Sequence, residues 1–333
     1  MLDLFAGGAT VVLQSLQRWW EPATRFCREL ELALGHATQA NAYLTPAGAA
    51  GLAPHHDTHD VFVLQVAGTK HWVVREPAVD APLRRHVSDH EAAAARPVLF
   101  EVDLRPGDAL YLPRGVVHSA AAQQGVSLHI TVGVLATTVH DVLLALVEQA
   151  GDDPAFRRSL GAGWAFDDDA ATAAVKSAVA DLADWLGRVD AAEVAGRMRD
   201  RFVSRRTPLL DGQLLETVGL DRLDDDSVVV RRPGIVATVT VGDAGTGPAP
   251  GRGDGASDGG TGGGGAQTLR LTLGDRRVEM PAPLEPAVRR LLDGSPHRIG
   301  ELADVLDGPS RLVLVRRLVR EGALRAGEPG AHG

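Results

Sequence analysis

The sequence predicts an α+β protein in which a sandwich or barrel of short strands precedes a helical stretch and a small mixed domain. Between residues 40 and 132, short β-branched and apolar runs alternate with Gly/Pro turns, with no helical segment between them. After Val134 the apolar spacing changes to that of helices. Near the C-terminus a Gly-rich tract, 243–266, separates two further strand-like runs, 234–241 and 268–273.

The first strand of the core covers 40–45 and stops at Pro46-Ala47-Gly48. Residues 61–66 form the next, and Gly68-Thr69 turns the chain into 70–74 as the returning strand of a hairpin. Residues 101–104 lead into the turn Arg105-Pro106-Gly107-Asp108, a strand over 109–112 and a loop carrying His118. Residues 127–132 close the set. Upstream, apolar residues at helical spacing over 13–20 and 22–34 predict a helical pair before the core.

His55 and Asp57 stand two apart, so on a strand they point to one side. His118 adds an imidazole from a distant strand. Two His and one carboxylate are the ligand set that holds non-haem Fe(II) and leaves positions open for substrate and dioxygen. His59 shares their parity but is assigned a supporting or loop role, because Asp57 already completes the pair. His56 alternates to the opposite side. His129, two residues before Thr131, is placed near the same pocket, whereas His71, His86, His90, His140, His297 and His332 carry no pattern.

The spacing Gly107, Pro113, Gly115, His118 reproduces the second motif of the cupins, without its later Asn. The runs Asn41-Ala42-Tyr43-Leu44-Thr45-Pro46-Ala47-Gly48, Gly51-Leu52-Ala53-Pro54-His55-His56-Asp57 and Asp60 to Trp72 resemble one branch, the JmjC-domain proteins of the ribosomal oxygenase group. The likeness is dense over residues 1 to about 137 and rests on architecture beyond that. It implies a double-stranded β-helix (cupin/JmjC) barrel, with Fe(II) on His55, Asp57 and His118. It also implies 2-oxoglutarate as cosubstrate, with its distal carboxylate on Lys70, fifteen positions after His55. A cation inside a narrow barrel is expensive unless an anion meets it, which fits that role. Thr131, Asn41 and Tyr43 match positions that line the cosubstrate pocket in that group. Its histidyl hydroxylases tend to carry Ser where this chain has Gly133, and its arginyl branch Gly, which tilts the expected target toward arginine. Such proteins carry further strands and helices before this point, so the resemblance implies a truncated or misassigned start.

Residues 138–150 place Val139, Val142, Leu143, Leu146 and Val147 on one stripe, and further helices are expected from Pro154, over 168–189 and over 191–201. In the resembling group this region, 138–206, is a homodimerisation unit. Residues 207–333 are expected to form a winged-helix-like domain with short helices over 286–292, 299–306 and 310–321. Its last helix carries Arg311, Arg316, Arg317 and Arg320. Yet residues 284–328 hold eight Arg against seven acidic residues, so no nucleic-acid partner is expected. The tripeptide Arg252-Gly253-Asp254 is read as chance.

A net charge of -9 over 333 residues argues against general affinity for a nucleic-acid backbone. The single cysteine, Cys27, permits no intrachain disulfide. No uncharged apolar run approaches the ~18 residues of a membrane span, and the N-terminus has no signal-peptide pattern, so a cytoplasmic location is expected. The functional reading is an Fe(II)- and 2-oxoglutarate-dependent hydroxylase of a protein side chain, with a ribosomal protein as partner. The alternative is a cupin ligand sensor coupled to a winged-helix regulator without catalysis. A cupin isomerase or small-molecule dioxygenase gives no reason for Lys70 or the C-terminal modules.

Overall fold

A computed structural model of the chain describes residues 1–206, 212–243 and 267–326. They belong to two compact units, Met1–Asp141 and Val142–Gly333. All but the first residue of the Gly-rich tract, the tripeptide Arg252-Gly253-Asp254 and His332 lie outside the described residues.

The strands of the first unit are β1 (Val11–Leu13), β2 (Ala37–Thr45), β3 (His55–His56), β4 (Asp60–Ala67), β5 (Lys70–Pro77), β6 (Val98–Leu104), β7 (Ala109–Leu112), β8 (Val116–Ala122) and β9 (Ser127–Leu135). They make two antiparallel sheets, ordered β1-β2-β9-β4-β7 and β3-β8-β5-β6. The chain changes sheet at most turns, which is the winding of the double-stranded β-helix of cupins. One expectation is corrected here. β4 and β5 are not a hairpin, because β5 pairs with β6 and β8 while β4 pairs with β7 and β9. The Gly68-Thr69 turn therefore passes the chain between sheets, a distinction that alternation within each strand cannot reveal.

The space between the sheets is filled by Val61 and Val63 of β4, Trp72 and Val74 of β5, Leu104 and Leu112. Each such side chain, once fully buried, contributes about 1.5–3 kcal/mol. On β5 the same alternation that buries Trp72 and Val74 also buries Lys70. A helix, α1 (Leu2–Ala6), opens the chain, and α2 (Glu21–Leu34) covers the back of the five-stranded sheet. Pro22 suits the first turn of α2, and Gly35, at φ 68°, ends it with its N–H on the Glu31 carbonyl. Ala23, Cys27 and Glu31 form its buried stripe, and Ala23 and Cys27 pack with Ala40, Ala42 and Val132.

The helix expected over 13–20 does not form. Residues 11–13 pair instead with Ala42, Tyr43 and Leu44 as β1, and Leu16–Arg18 makes one 3-10 turn after Ser15 in the left-handed region. The pairing with β2 outweighs the local apolar spacing, and β-branched Val11 and Val12 suit a strand. A short helix, α3 (His90–Ala94), capped by the Asp89 carboxylate, interrupts the strands where none was expected. Five residues are too few to show a period.

The second unit comprises α4 (Val139–Ala150, which begins just before it), α5 (Asp168–Leu186), α6 (Ala191–Ser204) and α7 (Gln213–Val218), then two small sheets and two further helices. The sheets are β14 (His297–Arg298), β10 (Val228–Arg231) and β15 (Leu324–Ala326), and β11 (Ala237–Asp243), β12 (Gln267–Leu273) and β13 (Arg276–Pro281). β11 and β12, on either side of the Gly-rich tract, pair antiparallel from Ala237↔Leu273 to Asp243↔Gln267. With α8 (Glu285–Leu291), a 3-10 segment Ile299–Asp304 and α9 (Gly308–Arg320), they enclose a core that includes Leu269, Leu271, Leu291, Ile299, Val315 and Leu318.

Gly115 ties the loop before β8 to Asp57, the residue just after β3. Its N–H donates to the Asp57 carbonyl at 2.9 Å and its carbonyl accepts from Ala78 N–H at 2.9 Å. Its φ is +87°, and a Cβ there would lie 2.0 Å from the Val79 carbonyl oxygen. Left-handed backbone alone costs an L-residue about 1–2 kcal/mol. Gly115→Ala should therefore destabilise the protein by more than about 2 kcal/mol, read as a lowered urea midpoint at unchanged slope.

Candidate active site

His55 and His118 face each other as a cross-strand pair of β3 and β8, with ring centroids 4.5 Å apart. Asp57 follows β3 and brings Oδ2 to 3.6 Å from His118 Nε2. One ligating atom from each of the three residues lies within 4.8 Å of the others. Both imidazoles are oriented by main chain. His55 Nδ1 is 2.7 Å from the Ala53 carbonyl, and His118 Nδ1 is 3.1 Å from the Val116 carbonyl. A carbonyl only accepts, so each ring carries its proton on Nδ1 and presents the Nε2 lone pair. His118 is buried, and burial followed by the adjacent His55 pushes its pKa down to about 4. Two imidazoles and a carboxylate with converging ligand atoms fit a divalent cation that takes N and O ligands.

These groups line one cavity of about 250 Å³ together with Asn41, Tyr43, Lys70 and Thr131. The structure thus brings all seven sequence-derived site residues to a single space. Asn41 Oδ1 accepts from Ser15 N–H at 2.9 Å and from Gln39 Nε2 at 3.1 Å, which holds its amide in place. Burial, then the negative charge of Asp57, raises the Tyr43 phenol above its ordinary range. Lys70 is 3% exposed, and burial pulls its ammonium down to about 8. Its Nζ donates to Thr45 Oγ1 at 3.0 Å, and its other polar neighbour is His129 Nδ1 at 3.5 Å. No carboxylate of the described residues pairs with it. A buried cation without a carboxylate beside it is costly unless an anion meets it.

His56 turns away from the cavity and places Nε2 3.2 Å from the His86 carbonyl. His59 lines the cavity, and its ring lies against Gly133, where a Cβ would come 2.5 Å from Cδ2. Thr10 and Trp72 line the cavity without a motif of their own, whereas His129 was expected near it. Thr10 reaches the cavity from the segment before β1, and its hydroxyl is 3.1 Å from that of Thr45. Trp72 forms an apolar wall whose only sequence signal was parity with Lys70. His129, also in parity with Thr131, sits beside Lys70 with its pKa lowered to about 3, by burial first and then by the lysine charge.

Lys70 also makes a stability signature. Below about pH 8 folded and unfolded chains both carry its proton. Between about 8 and 10.5 only the unfolded chain holds it, so stability rises with pH across that window. At pH 7, Lys70→Met in the ligand-free protein should unfold at a higher urea concentration than wild type. The gap should close as pH rises from 8 to 10.5.

The model of the JmjC domain matches residues 14–142. A ribosomal oxygenase 2 of Bos taurus is 42% identical over 127 residues, 37% of this chain and 27% of that protein. A protein of Aedes aegypti described as a bifunctional lysine-specific demethylase and histidyl-hydroxylase is 46% identical over 101 residues, 29% of this chain and 16% of that one. The chain thus spans about a quarter or less of the length of these curated relatives. Among solved structures, the ribosomal oxygenase YcfD of Escherichia coli, in complex with cobalt and 2-oxoglutarate, is similar in fold. It has a TM-score of 0.52 at 17% identity, covering 96% of this chain and 78% of that one. Residues 14–142 match the JmjC domain, the strands there form a cupin-type β-helix, and the chain is similar in sequence to ribosomal oxygenases over 127 residues.

Proposed function

We propose that this chain is an Fe(II)- and 2-oxoglutarate-dependent oxygenase that hydroxylates a side chain of a ribosomal protein. The observation that carries the reading is the His55, Asp57 and His118 cluster sharing one cavity with a buried lysine that has no carboxylate partner among the described residues. His55 and His118 would hold the metal through Nε2 and Asp57 through a carboxylate oxygen. Three ligands leave positions open for the keto-acid end of 2-oxoglutarate and for dioxygen. Lys70 would receive the distal carboxylate, and Thr131, Asn41 and Tyr43 would line the same subsite. When bound, iron and 2-oxoglutarate supply the oxidative chemistry, in which 2-oxoglutarate becomes succinate and CO2 while a substrate C–H bond is hydroxylated. The protein's own part is to fix both imidazole tautomers, to present an unpaired cation, and to exclude water with Val61, Val63 and Trp72.

The preferred target is an arginyl side chain rather than a histidyl one. Support comes from Gly133, since the volume a serine would take there is filled by the His59 ring. Residues 138–206 are assigned to homodimerisation. Many of their apolar side chains are open to solvent, with Val139 76%, Leu143 55%, Val147 58% and Phe166 97% exposed, while Val194 and Val203 are buried. Residues 207–333 are assigned a winged-helix-like role, in keeping with the succession of α8, the 3-10 segment and α9 followed by β15 on β10. A cytoplasmic site of action is proposed with a ribosomal substrate. Among the described residues no helix is long and apolar enough to cross a membrane.

The test is succinate formation. Wild-type protein should release succinate only with Fe(II), dioxygen and 2-oxoglutarate together, and ribosomal proteins from a strain lacking the gene should lose a +16 Da hydroxylation by mass spectrometry, a mass shift fixed by one oxygen atom. His55→Ala, Asp57→Ala and His118→Ala should each abolish turnover. A buried charge pair broken on one side costs about 2–5 kcal/mol. Lys70→Ala should therefore raise the 2-oxoglutarate requirement tenfold or more while metal binding persists, and Lys70→Arg should retain part of it. If wild type forms no succinate and binds no 2-oxoglutarate, the ligand-sensor reading replaces this one. For assembly, light scattering at micromolar concentration should report twice the 35.0 kDa chain mass.

A further inference from the structure

β3 stands at the edge of its sheet, with β8 on one side and, among the described residues, no strand on the other. It shares two pairs with β8, His55↔His118 and His56↔Val117. Yet His55 lies on it and Asp57 follows it, so two of the three clustered ligand residues depend on a very short edge. Side chains take the place of the missing strand. Residues 83–94, in the connection between β5 and β6, cross the open edge. His90 Nδ1 donates to the Pro54 carbonyl at 2.9 Å, and Ser88 Oγ accepts from His56 N–H at 3.1 Å. The His86 carbonyl accepts from His56 Nε2 at 3.2 Å. These bonds bracket His55, on Pro54 before it and on His56 after it, and none of them uses a ligand side chain.

The crossing segment is anchored at its ends and open between them. Pro82 and Ala93 are buried, and the Asp89 carboxylate caps α3 on the N–H groups of Glu91 and Ala92. His86 Nδ1 accepts from Leu83 N–H at 3.1 Å, which closes a turn. Arg84, Arg85, Val87 and His90 are exposed. A surface segment with few buried side chains opens at low free energy compared with a barrel strand. Its seating and that of β3 are one event, because the same bonds hold both.

We propose that residues 83–94 are a strap whose seating on β3 is linked to metal occupancy of the His55, Asp57 and His118 cluster, with Ser88 and His90 as positioning residues. The inference rests on reading that cluster as a metal site. A divalent cation that draws the three side chains together fixes β3 against β8 and so favours the seated strap. By reciprocity the seated strap raises the affinity for the cation by the same factor. It does so by ordering His55 and Asp57 beforehand, which lowers the entropy lost on binding.

The experiment uses the full chain and Co(II), in two arms. The first needs no variant. Trypsin cutting after Arg84 and Arg85, followed by mass spectrometry of the fragments, reports opening of the strap. Saturating Co(II) should slow these cuts about fivefold or more, the lower end of ordinary coupling between sites, while cutting after the exposed Arg188 of the second unit keeps its rate. The second arm is calorimetric titration with Co(II). Ser88→Ala and His90→Ala should each weaken it by about threefold, the worth of one ordinary hydrogen bond. Ser88→Thr, which keeps the hydroxyl, should recover most of the loss. Ser204→Ala removes a hydroxyl bonded to the Arg201 carbonyl in the second unit, and should leave the affinity unchanged. Strap cuts indifferent to bound Co(II), strap variants that bind it as wild type does, or an equal loss in Ser204→Ala overturn the proposal. Wild type that binds no Co(II) removes the metal reading itself, so the two failures are distinguishable.

Discussion

Pairing of His55 with His118 across β3 and β8 sets the geometry on which the rest of the site depends. β3 is two residues long, so its register rests on few backbone bonds of its own. The neighbouring chain compensates. Gly115 N–H holds the Asp57 carbonyl, Ser88 Oγ accepts from His56 N–H, and the His86 carbonyl takes the buried His56 ring. A slip of one residue would put His56 in the cavity and His55 outside it, because side chains alternate across a strand. His56 is thus the counterweight of the cluster, and its burial on the far side keeps His55 and Asp57 facing inward.

Lys70 introduces a second constraint, of opposite sign to good packing. A buried ammonium costs several kcal/mol in desolvation, and two neutral acceptors return only part of it. The depressed pKa records that deficit. Its energetic meaning is that the ligand-free barrel holds an unmet electrostatic demand, which an anion satisfies on binding. The carboxylate of Asp57 does not satisfy it, since that side chain converges with His55 and His118 and makes no ion pair with Lys70 among the described residues. Among the described lining residues, the carboxylate of Asp57 and the ammonium of Lys70 share the cavity without pairing.

The second unit shows two kinds of apolar surface. Residues 267–324 close over a core in which Leu271, Leu291, Ile299 and Val315 are wholly buried. By contrast α4 and α5 leave Val139, Leu143, Val147, Val175 and Val179 exposed. A helical stripe is normally buried against something. The difference separates a segment that completes its own core from one whose apolar side chains stay exposed among the described residues.

Much of the barrel was legible in residue order because a strand's period is two. Parity alone put His55 with Asp57, and Lys70 with Trp72 and Val74, and the turns at Pro46-Ala47-Gly48 and Arg105-Pro106-Gly107-Asp108 marked where strands stop. The residue types, two imidazoles and a carboxylate, named the metal class before any distance was known. What residue order could not decide was which strand lies beside which. The chain over 13–20 has helical spacing, yet β2 captures its first residues. The Gly68-Thr69 turn joins two sheets rather than two partners. His129 gains its place only when Tyr43, Lys70 and Trp72 arrive from two other strands, and Gly133 matters because the ring of His59 comes to rest on it. Local pattern determines which way a side chain points along its own strand, whereas the partner it meets depends on closure between segments tens of residues apart, and only the tertiary structure carries that information.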